Sequence, residues 1–184
     1  MQIWHATKDI NQLSKCFTNL PRPHPPFKIT LLDGILQQSE KALIPKGLLG
    51  MEEMVLWAGY PLASEILITS VLMPRTDSDA GHITLPKDEQ AHVIEELITL
   101  GQLLFADAHT HPGNIPLSIA DRIHPVGRTQ GFLTVIVPYY CQRGMTLGNC
   151  QFWQVNHNSW LEMQPTEKRE QIKIISAEEA LKCL

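Results

Sequence analysis

ADAHTHPGNIPLSIAD, residues 106–121, alternates two histidines, stops them with Pro-Gly and sets Ser-x-x-Asp shortly after. Side chains two apart on a strand point the same way. His109 and His111 therefore project from one face of the strand predicted over QLLFADAHTH. Two imidazoles on one side repel when both are charged, and each is costly to bury without a partner. A metal ion satisfies both. Pro112 and Gly113 end the strand, which predicts that the pair sits at a sheet edge where solvent and substrate enter. Ser118 reads as a helix N-cap with Asp121 in the first turn. A carboxylate there can return to the histidine pair as a third ligand.

Two histidines and one carboxylate suit Zn2+, one per chain, at roughly 2.0–2.2 Å per ligand. Three protein ligands leave the fourth position to water, the pattern of a catalytic zinc rather than a structural one. Bound zinc lowers the pKa of water from about 15.7 towards roughly 7. A general base must then take the proton and pass it to the leaving amine. MEEMVLWAG supplies Glu52 and Glu53 at the start of a buried strand. Alone, each feature is bland. His5, His24, His82, His92, His124 and His157 read as ordinary core or surface residues, Ser-x-x-Asp as a common cap, and Glu-Glu as a solvated turn. The combination is what points to a metal centre.

Outward from the motif, helices alternate with apolar strands. Thr30 and Asp33 predict a helix start, with a helix from about Leu31 to Ile44 that stops before Pro45. Met54 to Gly59 and EILITSVLMP read as strands, and RTDSDAGHITLP as a polar loop. KDEQAHVIEELITL reads as a helix, with Asp88 and Glu89 in its first turn and Gly101 closing it. FLTVIVP is a strand buried on both faces, and CQFWQV makes the last strand before a mixed tail with a short helix near SAEEALKCL. Alternation of this kind predicts an α/β fold, a mixed sheet covered by helices.

Four prolines in LPRPHPPFK exclude a helix or central strand there, so residues 1–26 read as an extension, a weak helical pattern at Ile10, Leu13 and Phe17 followed by a Pro-rich arm. The chain has 184 residues, 43% apolar and 18% charged, which suits one core. A net charge of −4 and the lack of basic runs give no reason to expect nucleic acid or an anionic membrane. No signal peptide and no span-length apolar stretch appear, and Cys16, Cys141, Cys150 and Cys183 form no C-x-x-C pair. A cytoplasmic protein with reduced thiols is the expectation.

HTHPGNIPLSIAD resembles the H-x-H-P…S-x2-D signature of the JAMM (MPN-plus, JAB) metalloproteases. The family's upstream Glu begins a segment E-x-x-G-x-L-x-G, and counting back seven residues from Gly59 lands on Glu52. The inner glycine of that segment is Val55 here, so Glu53 stays as the fallback. Aligning onto Gly47 to Gly50 instead would place Ile44, which cannot act as a base. The resemblance covers roughly Phe27 to Val155. It is nearest to bacterial members encoded beside ubiquitin-activating and ubiquitin-conjugating enzyme homologues, including those in antiphage operons.

The resemblance implies a curved mixed sheet flanked by helices, similar to the cytidine deaminase architecture. The catalytic domain would span 27–160, with 161–184 as its tail. It also implies hydrolysis of the isopeptide or peptide bond after the C-terminal tail of a ubiquitin-like protein. His109, His111 and Asp121 would hold zinc, Glu52 would deprotonate the water, and Ser118 would hydrogen-bond the oxyanion. The loops 75–86 and 139–150 would flank a shallow tail groove. Two other functions are weighed: a peptidase processing a sulfur-carrier protein, and a metal-free MPN scaffold.

Overall fold

The computed structural model describes residues 2–5, 28–157 and 159–182. The Pro-rich arm, the weak helical pattern before it, and Cys16 and Cys183 lie outside the described residues. In chain order the elements are β1 (Gln2–His5), β2 (Lys28–Leu32), α1 (Ile35–Gly47), β3 (Met54–Pro61), β4 (Glu65–Met73), β5 (Asp77–Ser78), β6 (Ile83–Thr84) and α2 (Lys87–Leu100). Then come β7 (Leu103–Thr110), α3 (Ile119–Ile123), β8 (Leu133–Val137), β9 (Gln151–Asn156), β10 (Ser159–Glu162), α4 (Pro165–Gln171), β11 (Ile172–Ile175) and α5 (Ala177–Lys182). No helix among the described residues is long and apolar enough to cross a membrane.

The main sheet runs β10-β9-β8-β7-β3-β4-β2-β11, with β1 also pairing to β4. It is mixed: β2 lies parallel to β4 and β11, and β7 parallel to β8, while the other pairs are antiparallel. The curled sheet with helices on both sides is the α/β fold that the alternation predicts. Central strands β3 and β8 are buried at every residue, as expected of strands covered on both faces. One face, with Val55, Trp57, Ala106, Val135 and Phe152, packs against Ile35, Ala42 and Leu43 of α1. Burying side chains of the larger sizes contributes about 1.5–3 kcal/mol each. The Trp57 indole N–H donates to Ser39 Oγ at 2.9 Å, fixing α1 on β3.

The opposite face carries two separate apolar clusters. Met54, Leu56, Ala58 and Leu72 pack with Val93 and Leu97 of α2, while Ile136 and Trp153 pack with Leu117 and Trp160. The register between β3 and β7 shifts at Trp57/Ala58, so Ala58 faces Leu104 and brings it into the α2 cluster. Between the two clusters lie Asp107, His109 and Thr134, paired across the sheet with Leu56, Met54 and each other's strand. The gap is polar because β7 turns Asp107 and His109 towards it and His111 follows at the strand's end.

Four local expectations are corrected. Leu31 and Leu32 belong to β2, not to a helix, and Thr30 is no cap, since its hydroxyl donates to Glu65 Oε2 at 2.8 Å from within the strand. The helix begins at Ile35 after Gly34 in the left-handed region and continues through Pro45 to Gly47. The loop 75–86 contains the small β5–β6 hairpin, and the tail adds β10, α4 and β11 to the short final helix. Finally, the histidine pair is not at a lateral sheet edge. β7 is flanked by β3 and β8, and the site opens where the strand ends.

Candidate metal centre

Three side chains converge at the end of β7. His109 Nε2 and His111 Nε2 are 3.2 Å apart, His109 Nε2 lies 3.5 Å from Asp121 Oδ1, and His111 Nε2 lies 3.4 Å from Asp121 Oδ2. Ligand bonds of roughly 2.0–2.2 Å at tetrahedral angles require donors roughly 3.3–3.6 Å apart. The observed spacings fit such a centre, and two imidazoles with one carboxylate are donors zinc accepts. His109 and His111 are buried, whereas the Asp121 side chain keeps 17% exposure. A cavity of ≈ 30 Å³ beside His109 and Asp121 gives room for a small species at the open side.

Local structure aims each donor. Ser118 caps α3: its Oγ accepts from Asp121 N at 3.2 Å, and its own N–H donates to Asp121 Oδ2 at 2.7 Å. That box turns the carboxylate of a five-residue helix towards the histidines. The Ser118 hydroxyl proton is not consumed by the cap, because Oγ is the acceptor there. His111 Nδ1 lies 3.1 Å from the Ile115 carbonyl, and His109 Nδ1 lies 2.8 Å from Asp107 Oδ2. Donation from both Nδ1–H groups leaves both Nε2 atoms facing the shared point.

Charge follows from this packing. Burial opposes a charged His109, but hydrogen bonds to Asp107 and Asp121, with their charges, outweigh it and raise the imidazole to about 10. Burial also opposes ionisation of Asp121, yet the hydrogen bonds from His109 and His111 hold it well below the usual carboxylate range. The arrangement is built for positive charge between these groups, and a cation entering must displace the His109 proton.

The two candidate bases have different surroundings. Glu52 is 5% exposed, and burial pushes its carboxyl above the ordinary value; His111 and His109 pull it back, Asp121 adds to the rise, and His82 opposes it. These partners place Glu52 in the field of the three converging side chains. Glu53 is held elsewhere. Its Oε2 pairs with Lys46 Nζ at 3.1 Å, and its Oε1 accepts from Thr76 Oγ1 at 2.5 Å and from Met54 N at 3.0 Å. The Glu-Glu pair is thus buried at both positions, not the solvated turn it suggests in isolation.

Residues absent from the sequence reasoning also gather here. Asp107 and Thr134 stand behind His109, with Thr134 Oγ1 donating to Asp107 Oδ1 at 2.7 Å. The alternation D-x-H-x-H was the available signal for Asp107; nothing local pointed to Thr134, which reaches it from β8. His82 and His124, read as ordinary core or surface residues, line the cavity beside His109 and Asp121. The two flanking loops touch, Tyr140 Oη donating to Ala80 O at 2.6 Å. Cys141 and Cys150 are buried free thiols that burial pushes up to about 12, which makes them poor nucleophiles.

No family model matches the chain. A probable metalloprotease of Sinorhizobium fredii, y4jG, is 26% identical over 133 residues, covering 69% of this chain and 82% of that protein. The solution structure of a Desulfitobacterium hafniense protein shares the fold, with TM-score 0.61 at 15% identity, over 80% of this chain and 93% of the other. A JAB1/MPN domain protein from Archaeoglobus fulgidus overlays more loosely, with TM-score 0.44 at 14% identity, over 80% and 99% of the two chains. Among the described residues, His109, His111 and Asp121 are the cluster able to hold a metal ion.

Proposed function

We propose that the protein is a zinc-dependent metallo-isopeptidase that cuts after the C-terminal tail of a ubiquitin-like protein, removing it from conjugates or trimming its precursor. The observation that carries this reading is the tetrahedral spacing of three donors beside a buried, electrostatically coupled Glu52. His109, His111 and Asp121 hold the ion. Zinc there supplies Lewis acidity to the scissile carbonyl and lowers the pKa of water. Glu52, its carboxyl raised by burial, accepts the proton and returns it to the leaving amine. The Ser118 hydroxyl donates to the oxygen that becomes negative. The metalloprotease name of the Sinorhizobium fredii relative agrees with a hydrolase.

A groove of ≈ 450 Å³ supports an extended tail as substrate. Met54, Ile83, Val126 and His124 border both this groove and the cavity at the metal centre, and Val93, Leu97 and Leu104 give it an apolar floor. A flexible tail laid along β6 would gain main-chain hydrogen bonds from the strand and side-chain burial from the groove. Partner enzymes that activate or conjugate the same modifier fit this reading.

The test is incubation of the zinc-loaded protein with ubiquitin-like and sulfur-carrier proteins, each bearing a C-terminal extension, with mass spectrometry of the products. Release of the extension after the terminal glycine of the ubiquitin-like protein, abolished by chelation, is the expected result. Cleavage of the sulfur carrier alone would change the substrate class. A folded protein that takes up no zinc and cuts neither would leave the metal-free scaffold.

A further inference from the structure

We propose that Asp107, braced by Thr134, is the positioning residue of the metal centre: it fixes the ring and tautomer of His109 so that Nε2 is committed to the ion. This rests on the reading of His109 as a ligand. Asp107 is 1% exposed, and both of its oxygens are engaged, Oδ2 with His109 Nδ1 at 2.8 Å and Oδ1 with the Thr134 hydroxyl at 2.7 Å. Taking a carboxylate out of water is costly, and a carboxylate so placed needs compensation from a neighbouring positive centre. The apolar clusters on either side provide none.

The two ligands are backed unequally. His111 leans on a carbonyl of the loop after β7, the Ile115 oxygen at 3.1 Å. His109 leans on a carboxylate inside the sheet, where Asp107 pairs with Leu56 on one side and Thr134 on the other. A carboxylate accepts the Nδ1–H bond more strongly than a carbonyl does and increases the basicity of the opposite nitrogen. His109 is therefore the strongly donating ligand, and His111 and Asp121 complete the set from the loop after β7 and from α3. Thr134 has a defined part. Its hydroxyl occupies Oδ1, which leaves Oδ2 to the imidazole and prevents the carboxylate from rotating away.

Zinc affinity, measured by chelator competition, tests this without reference to cleavage. Outer partners of metal-ligating histidines typically change affinity by about 10–100-fold. Asp107→Leu removes both charge and acceptor and should weaken zinc about 100-fold. Asp107→Asn can still accept from Nδ1–H through its amide oxygen and should lose about 10-fold. Thr134→Val should fall between Asp107→Asn and the unaltered protein. A second readout separates positioning from mere packing: proton NMR of the zinc-loaded protein should show a His109 ring N–H protected from exchange, lost in Asp107→Leu and kept in Asp107→Asn. If Asp107→Leu does not fold, the Asp107→Asn and Thr134→Val pair decides. Variants that bind zinc within twofold of the parent, with the ring N–H unchanged, overturn the proposal while leaving the function intact. A parent that binds no zinc overturns both.

Discussion

At the scale of single residues, adjacent glutamates divide between chemistry and structure. Glu52→Gln should retain zinc and thermal stability while cleavage falls about 10²–10⁴-fold, the usual share of a general base. Glu53→Gln should do the reverse. Its carboxylate joins Lys46 on α1, Thr76 after β4 and the backbone of β3, so losing the charge should cost about 2–3 kcal/mol, less than a fully buried pair because Lys46 keeps 30% exposure. Denaturant unfolding and a cleavage assay on both variants check this; a stable, inactive Glu53→Gln would reverse the assignment. The sequence favoured Glu52 over Glu53 only by the count back from Gly59, because their physical difference is made by Lys46 and Thr76, which arrive from other elements.

His109 and Asp121 also set a pH dependence. The folded value of His109, about 10, lies above its ordinary 6.5, so its proton stabilises the metal-free fold fully below about 6.5 and ceases to as pH rises through about 10. Asp121 is shifted downwards, so its contribution is present above 3.8 and lost as pH falls through its lower folded value. Chelator-treated protein should therefore melt at progressively lower temperature from pH 6.5 to 10, and zinc, which displaces the His109 proton, should remove that decline. A flat profile in the chelated protein would contradict the coupling.

At the scale of elements, patterns carried by neighbouring residues were legible, and pairings with distant partners were not. The strand leading into the H-x-H pair, the cap at Ser118 and the helix closed by Gly101 all appear where their residues predict them. Thr30 misled because Thr-x-x-Asp is a local cap signature, while the β-branched run around it is claimed by β4 and β11 from across the chain. β11 itself depends on β2, more than a hundred residues earlier, and nothing in its four residues announces that. One close approach was equally hidden. Gly47 ends α1 against the turn Tyr139–Cys141, whose three residues all have positive φ, and a Cβ there would sit 2.0 Å from Tyr140 O. Tyr140 N in turn donates to His111 O at 2.8 Å. Gly47→Ala should cost about 1–3 kcal/mol and lower the denaturant midpoint. An unchanged midpoint would show that the turn yields freely.

At the scale of the whole molecule, the sheet separates stability from function. The face under α1 is continuously apolar, whereas the other face is split into two apolar clusters with a polar gap between them. The gap is where β7 ends, where α3 delivers Asp121, and where Glu52 enters from the start of β3. Every part of the proposed chemistry depends on a single cation seated in that gap. Native mass spectrometry of the folded protein with zinc tests it most directly. One zinc per chain in the parent, and none in His111→Ala, is the predicted result. A folded parent that stays metal-free in excess zinc, or a His111→Ala variant loaded as fully as the parent, would contradict it.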